Sequence, residues 1–102
     1  MVEVRWTVQS LEDIENIAKY ISKDSIRYAE VQVEDFFDSV ILLEKFPKAG
    51  RIVPEVNDKD LRELIVGFYR IIYGILSENR IDILTVYHTS RKLGKEKIKT
   101  LK

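Results

Sequence analysis

The side chains with chemistry to offer are few: Arg70 between Tyr69 and Ile71-Ile72, Arg62 beside Glu63, Arg51 after Gly50, and His88, the only histidine, three residues before Arg91. The fork of Arg70 could grip a carboxylate of a target or partner through two hydrogen bonds. Equally, it could pair with Glu63 across neighbouring antiparallel strands. Arg62 carries the same two readings. Arg51 lies in a stretch with no apolar period, and loop side chains often meet partners; a merely solvated arginine is the other reading. His88 titrates near neutrality and suits general acid or base work, or it simply ends a strand. Tyr69, Tyr73 and Tyr87 could stack on exposed bases; at strand positions among Ile and Val they also suit core or rim packing. With no cysteine and one histidine, disulfides, thiol catalysis and thiolate metal sites are excluded, and neither a dedicated zinc site nor another metal or cofactor is expected.

Charge separates along the chain although the totals balance, 17 basic against 17 acidic. Residues 1–49 hold 6 basic and 10 acidic side chains, and residues 50–102 hold 11 and 7. In the C-terminal tail Arg91, Lys92, Lys95, Lys97, Lys99 and Lys102 face only Glu96. That tail is either a solvated end or a basic surface for an acidic partner. Its apolar residues Leu93, Ile98 and Leu101 are too few for a stable free helix, so residues 89–102 are expected to order on a target. A strongly basic nucleic-acid binder is not what the totals describe.

These side chains must be held by a fold that 102 residues, 45 % hydrophobic and 33 % charged, can build as one compact domain over residues 1–102. Val2, Val4 and Trp6 alternate with Glu3 and Arg5, the pattern of a half-buried strand. Ser10 precedes Leu11, Ile14, Ile17, Ala18 and Ile21 at helical spacing, with Glu12 and Asp13 in the first turn. After the capping residues around Ser22 to Ser25, a longer helix follows through Ala29, Val33, Phe36, Phe37, Val40 and Leu43. Pro47 stops it near Phe46. Residues 47–60 read as a loop with a short extended piece at 51–53. Strands follow at 61–66, 68–76 and 80–88, linked so briefly that they must be antiparallel neighbours. The expected class is α+β: an N-terminal strand, a two-helix hairpin on one sheet face, a three-stranded antiparallel meander and a basic C-terminal tail. No apolar run nears the roughly 18 residues of a membrane span, and the N-terminus lacks a signal peptide's regions. A cytoplasmic protein with no membrane partner is expected.

The order of elements and a set of short words resemble the RelE/ParE group of bacterial toxins across nearly the whole chain. The words are Trp6-Thr7, Leu11-Glu12-Asp13-Ile14, Tyr20-Ile21, Phe46-Pro47-Lys48-Ala49-Gly50-Arg51, Arg62-Glu63-Leu64, Tyr69-Arg70-Ile71-Ile72-Tyr73, and Val86-Tyr87-His88 with Arg91. The resemblance implies the toxin of a type II toxin-antitoxin pair, covered by an arm of its cognate antitoxin until that antitoxin is degraded.

Two branches of the group act differently. RelE-like members resemble acid-base ribonucleases that cut messenger RNA on the ribosome. Arg70 falls where that branch keeps an arginine able to stabilise a phosphorane-like transition state, with His88 and Arg91 as further candidates. The strand before it departs from the pattern: Leu61, Arg62, Glu63 and Leu64 stand where lysines would be expected, and no late catalytic tyrosine follows Arg91. The remaining words look more like ParE, whose members poison DNA gyrase rather than cut RNA. A neutral total agrees, since a ribosome-binding nuclease would carry surplus positive charge. The resemblance thus implies a non-enzymatic gyrase poison, with Arg51, Arg62, Arg70, Tyr73, Arg91, Lys92 and Lys95 as candidates for contact with target or antitoxin. A ribosome-dependent messenger endoribonuclease and an inactive homologue that keeps only antitoxin binding are the alternatives.

Overall fold

A computed structural model describes residues 1–91 of the chain. It contains five strands and two α-helices, in the order β1 (Glu3–Trp6), α1 (Val8–Ser22), α2 (Ile26–Ile41), β2 (Arg51–Ile52), β3 (Leu61–Val66), β4 (Tyr69–Ser77) and β5 (Arg80–His88). The α+β class, the hairpin and the β3-β4-β5 meander agree with the sequence reading. Lys92, Lys95 and the rest of the basic tail after Arg91 lie outside the described residues.

All five strands join one sheet in the order β1-β5-β4-β3-β2. The meander forms its centre, and β1 adds parallel to β5, with Val4 beside Ile81 and Trp6 beside Ile83. Parallel neighbours need a crossover, and here the whole helical hairpin and the rest of the meander lie between the two strands. Gly67 turns β3 into β4 with φ +60°. Val66 and Tyr69 pair across that turn, so it is a two-residue connection whose first position favours glycine.

The helices differ from expectation at their starts. Thr7, not Ser10, caps α1, accepting a hydrogen bond from the backbone N–H of Ser10. Ser10 sits inside the first turn, fully buried, and donates its hydroxyl back to the Thr7 carbonyl. Thr7 also donates to the carbonyl of Ile83 at 2.7 Å, so the cap ties the helix start to β5, a contact that helical spacing cannot report. Ser25 caps α2 through the N–H of Tyr28. This helix ends at Ile41 and tightens into a 3₁₀ turn, Leu42–Glu44, ahead of Pro47.

Two cores flank the sheet. On the hairpin side Ile14, Phe36, Val40 and Leu43 pack on Ile71, Tyr73, Ile81, Ile83 and Val86. Full burial of a side chain such as Phe36 contributes about 2–3 kcal/mol. On the other side Val53 and Val56, from the loop at 53–60, cover Leu61, Ile72, Leu84 and Tyr87. That loop is therefore a lid over one sheet face and carries its own apolar anchors.

Candidate functional site

Arg70 emerges from β4 under this lid, 8 % exposed. Its Nη1 donates to Glu55 Oε2 at 2.7 Å and its Nη2 to Glu55 Oε1 at 2.9 Å, a two-point grip on a carboxylate that the lid supplies. Nη2 also donates to Glu63 Oε1 at 2.5 Å. Glu63, on β3, is 1 % exposed, and its other oxygen accepts from Arg51 Nε and Nη2 at 3.1 and 3.0 Å. Two guanidiniums and two carboxylates thus form one connected, neutral cluster, as a buried charge requires. The expected pairing of Arg70 with Glu63 is present, reached diagonally because Glu63 faces Ile72 and Arg70 faces Ile65 in the register. The hydrogen bond from Arg70 holds the Glu55 carboxyl below its ordinary range, against the opposing effect of burial. Glu55, chiefly, keeps Arg70 far on the charged side. The buried Nε of Arg70 has no partner among the described residues.

Arg62 and Tyr73 serve the chain at 47–50. Arg62 donates from Nε to the carbonyl of Lys59 and from Nη1 to that of Gly50, both at 3.0 Å. Tyr73 has no exposed surface. Its hydroxyl donates to the Pro47 carbonyl at 2.8 Å and accepts from the Gly50 N–H at 2.9 Å. A Cβ on Gly50 would stand 2.5 Å from the Glu63 carbonyl oxygen and 2.7 Å from the Tyr73 hydroxyl, so the word Ala49-Gly50-Arg51 needs its glycine for close approach. Tyr73, placed by the sequence among contact residues, has no face for a partner in this conformation; it shapes the loop that presents Arg51.

His88 pairs with Tyr69, one register position from Arg70, but with Arg91 it lies on the α1 side of the sheet. His88 Nδ1 accepts from the Ser90 N–H at 3.1 Å, with Ser90 Oγ 2.7 Å away. The imidazole stacks beside Phe68, centroids 6.3 Å apart, and meets Tyr69 edge-on at 5.3 Å. Tyr87 is nearly buried and Tyr69 half-buried, so the tyrosines are core and rim. The structure does not gather the sequence candidates at one place: Arg51, Arg62, Arg70 and Tyr73 engage Glu63, the lid and the chain at 47–50, whereas His88 and Arg91 line a cleft beside α1.

Two residues escape sequence reasoning. Glu55 stands in a segment that reads only as a connector, and nothing local links it to an arginine 15 positions away. The sequence reading puts Asp13, with Glu12, in the first turn of α1, but the helix starts at Val8 and its first turn holds no acid. Its carboxylate instead accepts from Thr85 Oγ1 at 2.5 Å and the Val86 N–H at 3.0 Å, pinning α1 to β5.

Known proteins share this fold. Residues 4–93 match the family described as the ParE toxin of the type II toxin-antitoxin system parDE. The chain belongs to that family of type II toxins, within the wider RelE/ParE superfamily. It is 29 % identical over 89 residues to Y4kP of Sinorhizobium fredii, a protein named as a toxin, covering 87 % of this chain and 90 % of that one. Among solved structures it resembles a chain of the chromosomal ParDE system from P. aeruginosa, with TM-score 0.72, 19 % identity, and coverage of 88 % and 98 %. A YoeB/ParE toxin from Agrobacterium tumefaciens follows at TM-score 0.59 and 17 % identity, covering 85 % of this chain and 98 % of that one. The RelBE2 toxin-antitoxin complex from Mycobacterium tuberculosis gives 0.55 and 24 %, with coverage of 85 % and 96 %. At these identities the structural likenesses speak for the fold.

Proposed function

We propose that this chain is a non-enzymatic poison of DNA gyrase, held inactive by a cognate antitoxin and acting in the cytoplasm, where gyrase works. The observation that carries the choice against RNA cleavage is the engagement of Arg70. Both its terminal nitrogens are spent on Glu55 and Glu63. Two carboxylates at that spot disfavour an approaching phosphate, so the arginine that a RelE-like reaction would use is a structural lock here. Arg51, 64 % exposed at its side chain, is an outward-facing cation near the lid and the first candidate for target contact.

For the antitoxin, the hairpin offers exposed apolar side chains: Val8 and Leu11 on α1, Val31, Phe37 and Ile41 on α2. Such exposure is more than a solitary chain needs and suits an amphipathic arm. The similar RelBE2 structure from M. tuberculosis is a toxin-antitoxin complex, which supports the same reading.

The ribosome-dependent endoribonuclease keeps one supporting observation, His88 and Arg91 at a common cleft. Pulse-labelling DNA and protein synthesis during the first minutes after expression without antitoxin separates the two. Gyrase poisoning predicts that DNA synthesis falls first while translation continues; early loss of translation would favour the nuclease, and no arrest would favour an inactive homologue.

A further inference from the structure

Where α2 gives way to the chain leading into β2, residues 45–49 form one wall of an open groove of about 750 Å³, and Asp60 with residues 75–78 forms the other. Arg70, His88 and Arg91 take no part in it. We propose that this groove is the contact surface of a two-fold symmetric dimer, each copy of the chain seating its groove against that of the other.

Three observations carry this. First, the groove is apolar and open: Phe46 is 59 % exposed and Leu76 48 %, and Leu42, whose carbonyl accepts from the Phe46 N–H, is exposed beside them. Apolar surface rimmed by charge is the make-up of a protein contact. The sheet gives up its regularity to present Leu76. Ile75 pairs with Ile81 and Ser77 with Arg80, so Leu76 is the extra residue of a β-bulge, a device that re-aims a side chain.

Second, the charges of the groove match the groove itself. Lys45 and Lys48 stand on one wall, Asp60 and Glu78 on the other, and none of the four has an ion pair among the described residues. A two-fold rotation sets the cations of each copy against the acids of the other. A partner of one sign would meet one wall favourably and be repelled by the other.

Third, both walls are fixed before contact, so association orders little chain. The Tyr73 hydroxyl donates to the Pro47 carbonyl at 2.8 Å, and the Ala49 N–H to the Phe46 carbonyl at 3.0 Å. Opposite, the Ile75 N–H donates to the Asp60 carbonyl at 2.8 Å.

The test is sedimentation equilibrium of the purified chain, free of antitoxin, across the micromolar range. The mass should rise to twice that of one chain and stop there. Reversing one wall makes both walls alike: Lys45→Glu with Lys48→Glu leaves two acidic walls, and Asp60→Lys with Glu78→Lys leaves two basic ones. Each reversed variant alone should associate about a hundredfold more weakly, because like charges then face across the contact. Mixed in equal amounts, the two should form a dimer holding one of each. Phe46→Ser should abolish association, and Lys19→Glu on α1 should leave it unchanged; amide NMR spectra establish that each variant is folded. A wild-type chain that stays monomeric overturns the proposal and leaves the groove to a segment of antitoxin or target. Mass that grows past two chains overturns it as well, since that is an open head-to-tail contact. So do reversed variants that dimerise alone or fail to pair when mixed. The experiment contains no gyrase, so its failure removes the dimer and leaves the gyrase reading to its own test.

Discussion

Arg70 on β4 and Glu55 on the lid are joined through both carboxylate oxygens, at 2.7 and 2.9 Å. This grip couples the lid to the sheet. Removing the arginine leaves Glu63 buried without its closest cation, so Arg70→Met should cost about 3–5 kcal/mol. Replacing Glu63 by Leu as well should recover part of it, because an apolar pair is often as stable as a buried ion pair. Urea unfolding of both variants measures the difference, and equal loss in single and double variants would contradict the lock.

Acid should loosen the same contact. The folded-state pKa of Glu55 is lowered by its hydrogen bond to Arg70 from an ordinary value of 4.5. The stability it contributes is therefore present above that value and lost as pH falls through the lower folded-state pKa. Glu55→Gln should be less stable than wild type at neutral pH, and the gap should shrink on acidification below about pH 4. Thermal unfolding across pH 2–7 measures that gap, and a gap constant with pH would break the assignment.

The loop at 47–50 gives a third expectation. Tyr73→Phe removes a buried hydroxyl that serves both Pro47 and Gly50, and should cost about 1–3 kcal/mol. Gly50→Ala forces its Cβ onto the backbone oxygen of Glu63 and should cost about 1–3 kcal/mol or more. Chemical denaturation of each variant checks the pair, and wild-type stability in both would contradict the packing described for this loop.

Asp13→Ala should strand the Thr85 hydroxyl and the Val86 N–H at about 1–3 kcal/mol. Hydrogen exchange reads it locally: the amide of Val86 should lose protection while those of β3 keep theirs. Unchanged protection at Val86 would mean that the carboxylate is not its partner.

Much of this fold is legible in the sequence because its signals are local. The periods of two and 3.6 locate every long element, and the short links around Gly67 and at 77–79 require the meander. β1 is recognisable as a strand, but its place beside β5 is not, since a parallel partner 77 positions away, Glu3 with Arg80, leaves no mark on either segment. The same limit explains the site. Arg70 with Glu63 is readable from adjacent strands. Glu55 with Arg70 and Asp13 with Val86 join residues whose neighbourhood exists only after folding. Tyr73 looks like surface chemistry because a tyrosine's value to a buried backbone turn depends on where Pro47 and Gly50 end up.

Gyrase poisoning is tested most directly by mixing the purified chain with DNA gyrase, ATP and relaxed plasmid, then denaturing the reaction and resolving the DNA. The expected result is loss of supercoiling and accumulation of linear plasmid covalently held by gyrase, both suppressed by prior addition of the cognate antitoxin. Normal supercoiling and no trapped linear DNA, with folded chain in large excess, would contradict it.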